Sequence, residues 1–166
     1  MKKEESKDKL SSSFGKLVKN LYFRIGLSLG MIVIILLIWA IFSQIDSMKY
    51  KTKKISINNT EIKIQVADTS LKQKAGLSNR YNLDENNGML FEFDKSGDYT
   101  FVMRNMTIDL DILWINNDKV VYFEKFVPRD SQEKYQSLAP ADKVLEVNAG
   151  WIEKHNIGIG AVYQEL

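Results

Sequence analysis

The feature that most constrains this chain is an uncharged run of 21 residues, IGLSLGMIVIILLIWAIFSQI, from Ile25 to Ile45 between Arg24 and Asp46. As a helix rising about 1.5 Å per residue it reaches roughly 30 Å, the thickness of a bilayer's hydrocarbon core. A helix that faces water carries polar residues along one side; this one offers only Ser28, Ser43, Gln44 and the indole of Trp39. A remaining domain of about 120 residues is too small to wrap a helix that is apolar all round. A cleaved signal peptide has a shorter apolar region, about 7–15 residues, closed by small side chains, and Trp39-Ala40-Ile41-Phe42-Ser43 supplies no such pair. The run reads as an uncleaved signal anchor: one transmembrane helix over residues 25–45, with the lipid bilayer as its partner.

The anchor divides the chain into a basic tail (1–24), the helix (25–45), a polar linker (46–54) and a globular domain (55–166). The tail holds seven Lys/Arg and three acids, a net +4, whereas residues 46–166 hold 16 basic and 18 acidic side chains, a net −2. The far flank of the helix is also basic, with Lys49, Lys51, Lys53 and Lys54, so local charge does not decide orientation. A first helix usually follows its N-terminal charge, and a large following domain crosses largely regardless of its own. The expected topology is a cytoplasmic N-terminus and an extracytoplasmic C-terminal domain. The acidic balance of that domain argues against nucleic acid as a partner. The absence of Cys excludes disulfides, thiolate catalysis and Cys-ligated zinc.

Within the domain, Ile55 and Ile57 alternate before Asn58-Asn59, and Ile62, Ile64 and Val66 alternate after it. Asn tolerates the positive φ of a tight turn. A two-residue loop pairs Ile57 with Thr60 and Ile55 with Ile62, which puts every apolar side chain on one face. Asp68-Thr69-Ser70 offers capping residues for a short helix through SLKQKAGLS. Residues 89–93 and 99–103 read as strands. Residues 108–115 and 119–127 read as a second hairpin around Asn116-Asn117-Asp118, ended by Pro128. A strand follows over 143–147, a helical turn or two over 149–156, and a last strand over 161–164. The fold class is α+β, mainly antiparallel β: a small barrel-like sheet with one or two short helices.

The ordered segments GLSNR (76–80), GMLFEF (88–93), TFVMRNMTIDLDILWI (100–115), KVVYFEKFVP (119–128) and PADKVLEVNAGW (140–151), with a glycine near the end, resemble the domain of unknown function 192 family. The resemblance covers about residues 55–166. It implies a compact β-rich domain, often exported or lipid-anchored, with no assigned activity and therefore no catalytic residues to carry over. The chain departs from the family pattern at Asp109, where Pro is usual before Leu-Asp, and at Gly160-Ala161, where Gly-Asp is usual.

Asp109 and Asp111 stand two apart in an expected strand, so they share a face at roughly 7 Å. A turn at Asn117-Asp118 sets Asp111 opposite Glu124, an unfavourable pairing unless a cation, Arg104 or a retained proton relieves it. Such carboxylates perform acid–base work or hold Ca²⁺ or Mg²⁺; the plainer alternative is a shifted register that leaves both in water. Arg80, Arg104, Asn105 and Glu146 are the other candidate ligand-binding residues: an Arg in a cleft grips an anionic group with two hydrogen bonds, or simply pins loops to a carboxylate. His155, the only histidine, fits a helix C-terminus. Met89, Met103 and Met106 fit a core better than a Cu(I) site. No glycine pattern forms a phosphate loop and no GxSxG is present, so no cofactor and no metal are expected.

These observations lead to a membrane-anchored, extracytoplasmic binding or accessory domain at the cell envelope, whose protein or ligand partner the sequence does not name. The alternatives are an envelope hydrolase built on Asp109, Asp111 and Glu146, with or without a divalent cation, and a structural component of an envelope complex.

Overall fold

The computed structural model describes residues 30–41, 43 and 49–166, in two compact units that divide after Lys49. Residues 30–41 form a helix (α1) whose side chains are exposed, Met31 by 62% and Trp39 by 69%. Among the described residues no helix is long and apolar enough to cross a membrane. Residues 25–29, 42, 44 and 45 of the expected span, and the whole basic tail, lie outside them.

The second unit is a mainly antiparallel sheet curled into a half-barrel, with two short helices. Its strands are β1 (Lys51–Ile57), β2 (Thr60–Ala67), β3 (Asn87–Gly97), β4 (Thr100–Val102), β5 (Leu110–Asn116), β6 (Lys119–Val127), β7 (Lys134–Gln136), β8 (Ala141–Asn148) and β9 (Tyr163–Glu165); the helices are α2 (Ser70–Ala75) and α3 (Trp151–Lys154). Seven strands run in the order β6-β5-β8-β3-β2-β1-β9, and β4 pairs with β7 in a separate ribbon. Only β2 and β3 pair in parallel. The connection between them carries α2, as a parallel pair requires a crossover. The two edge strands approach each other at one end, where Lys119 bridges Val162 and the Val120 N–H donates to the Ala161 carbonyl at 2.9 Å.

Side-chain alternation splits the core between the two faces of this sheet. All seven strands contribute to the inner cluster, with Ile55, Ile57, Ile62, Ile64, Val66, Leu90, Leu113, Ile115, Val120, Leu145, Val147 and Tyr163, capped by Trp151 and Ile152 of α3. The outer face carries Met89, Phe91, Leu110, Ile112, Trp114 and Val144, with Ala67, Leu77 and Met103, and is covered by Phe101, Met106 and Tyr135. Met89 and Met103 are thus core residues; Met106 is half-buried.

The first hairpin has the register expected, Ile57 with Thr60 and Ile55 with Ile62, around Asn58 and Asn59 at φ 49° and 71°. Pairing continues outward to Lys51 with Val66, so Lys51–Lys54 belong to β1 and not to a linker. Their charge hides the strand: Lys53 reaches Glu92 at 3.2 Å and Glu165 at 3.0 Å. Thr69 caps α2 by accepting from the Lys72 N–H. His155 takes the C-cap position of α3.

The second hairpin turns at Asn117 and Asp118, both at positive φ, but its register departs from the expected one. A bulge between Trp114 and Ile115 shifts the pairing so that Glu124 faces Ile112 and not Asp111, and a second bulge follows between Leu110 and Ile112. The strand begins at Leu110, which leaves Asp109 outside it.

Candidate functional site

Glu146 lies on β8, the central strand between β3 and β5. It pairs with Met89 on one side and Ile112 on the other. Alternation along β8 sends Leu145 and Val147 inward and turns Val144 and Glu146 to the outer apolar face. A carboxyl there loses most of its water, which favours the neutral form. Burial pushes Glu146 up to about 8, opposed only by the positive charge of Arg80. No hydrogen bond contributes to that shift.

The Glu146 side chain lines a cavity of about 250 Å³. It is formed by the end of α2 with the following turn (Gln73–Ser78), the middle of β3, strand β4 and the loop through Arg104 and Met106. Its walls are aromatic. Phe93 stacks on Tyr99 with ring centres 3.5 Å apart, and Phe91 meets Phe101 edge-to-face at 4.9 Å. Phe101 in turn meets the buried Trp114 at 6.0 Å. Most polar groups of the lining are already committed. Gln73 Nε2 donates to the Glu92 carbonyl at 2.7 Å, Ser78 Oγ donates to the Arg104 carbonyl at 2.9 Å and Tyr99 Oη donates to the Lys95 carbonyl at 2.7 Å. Lys74, Arg104 and Glu146 remain; the first two are exposed at the mouth and the third is buried.

The six residues singled out from sequence do not converge. Arg104 and Glu146 share the cavity. Arg80 lines a neighbouring, more polar depression with Lys63, Gln65 and Asn82, and its guanidinium sits 5.3 Å from the centre of the Tyr50 ring. Asn105 is exposed in a turn at φ 55°, its carbonyl accepting from the Asn79 N–H at 2.8 Å; with the Thr107 hydroxyl on the Arg80 carbonyl this joins the 76–80 and 104–107 loops. Asp109 accepts from the Arg129 N–H at 2.9 Å and stands 3.7 Å from the Arg129 side chain. Asp111 is fully buried. Its carboxylate accepts from the N–H of Phe126 at 2.8 Å and of Ile152 at 2.9 Å. Asp111 and Glu146 therefore occupy opposite faces of the sheet, and Asp111 is neither paired with Glu124 nor in water. Among the described residues no three His, Asp or Glu side chains are grouped to hold a metal ion.

The aromatic walls were visible in the sequence only as apolar strand residues. The closeness of Phe91, Phe93, Tyr99 and Phe101 in the chain is the signal that marks them, and it becomes a wall only when β4 folds across β3.

Fold and cavity together define a small β-rich domain with a curled sheet and a lateral pocket lined by one buried carboxyl. The chain belongs to the DUF192 family, described as "Uncharacterized ACR", whose profile matches residues 52–164. A crystal structure of a protein from Sinorhizobium meliloti 1021, provisionally described as a transcription regulator, is similar over 70% of this chain and 95% of that one, with 22% identity and a TM-score of 0.68. A protein of unknown function from Novosphingobium aromaticivorans DSM 12444 is similar over 69% of this chain and 84% of that one, with 25% identity and a TM-score of 0.63. No functionally curated protein matches.

Proposed function

We propose that this is a single-pass membrane protein whose C-terminal domain is a ligand-binding module on the outer side of the cell envelope. The observation that carries the binding role is the cavity: aromatic walls around an unpaired buried carboxyl. A buried ionisable group without a partner costs stability and is commonly kept for function, and a concave, mostly apolar pocket with few polar groups is the usual form of a small-molecule site. The uncharged run 25–45 and the exposed apolar side chains of residues 30–41 support the anchor. The net −2 of residues 46–166 favours this reading over nucleic-acid binding, whatever the S. meliloti relative does. The hydrolase alternative loses its acid pair, since Asp111 and Glu146 face opposite ways.

The test is recovery of a ligand. The full chain and its Phe101→Ala variant are expressed at equal levels in the native envelope, purified in a maltoside detergent and extracted for mass spectrometry. A compound enriched with the wild type and depleted from the variant is expected; identical extracts overturn the binding role. A reporter active only outside the cytoplasm, fused after Leu166, tests the orientation; a silent reporter on a stable fusion overturns that part.

A further inference from the structure

We propose that the Glu146 cavity selects a ligand bearing a cationic nitrogen, seated against the Glu146 carboxylate between the aromatic side chains; this deepens the reading of the domain as a ligand-binding module and rests on it. Three observations lead there. First, Glu146 is the one acidic group of the lining, and it stands on a face otherwise built from Met89, Phe91, Ile112, Trp114 and Val144. A carboxylate in such surroundings gains most from a cation that shares its burial. Second, the walls offer Phe91, Phe93, Tyr99 and Phe101, and aromatic faces attract cations through their quadrupoles, most strongly where water is excluded. Third, among the described residues none of the protein's own cations is salt-bridged to the carboxyl, although the charge of Arg80 reaches it. Arg80 lies against Tyr50, Lys72 is bound to Asp68 at 2.7 Å, and Lys74 and Arg104 point into water at the mouth.

The rival class is an anion held by Lys74 and Arg104. Those two charges are exposed and screened by solvent and salt, whereas Glu146 lies in the low-dielectric interior, where a charge acts several times more strongly. The buried group sets the preference. Binding is also linked to pH. The empty carboxyl is held protonated up to about 8, so a cation must displace one proton to form its ion pair. Affinity for a cation of fixed charge therefore rises with pH and levels off above that value. Arg80 is the one charged group that acts on the carboxyl, and it favours the ionised form; Lys74 and Arg104 are the other charged groups of the lining, and the β3 and β5 neighbours, Met89 and Ile112, carry no charge.

The experiment uses the full chain in a maltoside detergent with ¹³C-methyl methionine, because Met106 lines the cavity and Met89 pairs with Glu146. Three probes of similar size are titrated at constant ionic strength: tetramethylammonium, tert-butanol and pivalate. At pH 8 tetramethylammonium is expected to shift the Met106 methyl at least tenfold more tightly than tert-butanol. Its affinity is expected to fall roughly tenfold per pH unit below pH 7. Glu146→Gln removes the preference, and Phe101→Leu weakens the cation more than the alcohol. Tighter binding of pivalate, or a cation affinity indifferent to Glu146→Gln in a variant whose methyl spectrum is otherwise native, overturns the inference while leaving a ligand site in place. Silence from all three probes overturns both the inference and the binding module.

Discussion

The Asp111 carboxylate accepts the backbone N–H of Phe126 at 2.8 Å, and Phe126 stands at φ 55° in a β-bulge. A left-handed conformation costs a bulky residue about 1–2 kcal/mol. The buried acceptor offsets that cost, and its second oxygen holds the Ile152 N–H at the start of α3. Asp111→Asn can satisfy only one of the two donors and is expected to destabilise the domain by about 1–3 kcal/mol, and Asp111→Ala by about 2–4 kcal/mol. Chemical denaturation followed by tryptophan fluorescence measures both. In a Phe126→Gly background the cost of Asp111→Ala should shrink, because glycine needs no help to hold positive φ; strictly additive effects would show that the bond does not hold the bulge.

Gly88 fixes how closely β3 and β8 approach next to the Met89–Glu146 pair. A methyl group there would stand 2.9 Å from the Glu146 carbonyl oxygen and 3.1 Å from Leu145 Cδ1. The nearest obstacle is backbone of the central strand, which cannot swing aside. Gly88→Ala is expected to cost about 1–3 kcal/mol and to move the Glu146 side chain, so denaturation midpoint and ligand affinity should fall together. A variant of native stability would mean that the strands separate freely.

Asp68 makes the domain's stability acid-sensitive. It accepts from the buried Lys72 at 2.7 Å, and that bond first, then Lys51, lowers its carboxyl from 3.8 to about 2. A depressed carboxyl stabilises the fold at pH values above its unfolded pKa, and that contribution disappears as pH falls from about 4 through about 2. With partial exposure discounted, the pair is worth about 1–2 kcal/mol at neutral pH. Asp68→Asn should lower the denaturation midpoint at pH 7 and converge with the wild type near pH 2. A constant difference across that range would exclude the linkage.

The sequence carries the turn and inner register of the first hairpin, though not its outer end at Lys51–Lys54, because turn chemistry and apolar alternation agree at Asn58-Asn59. It carries the turn of the second hairpin but not its register, since the bulge at Phe126 uses no glycine and depends on Asp111, fifteen residues away in the chain. The alternation of Asp109 and Asp111 reads as a shared acid face, yet Asp111 is buried against backbone donors that only the β6 bulge and the folded α3 supply. Strand β7, KYQ, has no apolar period to reveal it. The parallel pairing of β2 with β3 is a long-range choice that local pattern cannot express. Glu146 stood out from its place in a recognisable segment, but its burial follows from the central position of β8 between two strands.

Glu146 supplies the strongest pH effect. Its folded pKa, raised to about 8 from 4.5 by burial, means that the native state retains a proton that the unfolded chain has released. Between those values the native state binds more protons, so stability falls as pH rises from about 4.5 to about 8 and is flat beyond. This runs opposite to Asp68, and the two act in separate windows. The loss amounts to several kcal/mol at most, on the order of 2–4 kcal/mol once relaxation around the buried carboxylate is allowed for. Glu146→Gln keeps the shape and removes the titration, so its stability should match the wild type near pH 5 and exceed it at pH 9. Saturating tetramethylammonium should restore the wild type at pH 9 and leave the variant unmoved, because only a carboxylate gains from the cation. Parallel stability curves for the two proteins would show that Glu146 is ionised and solvated throughout.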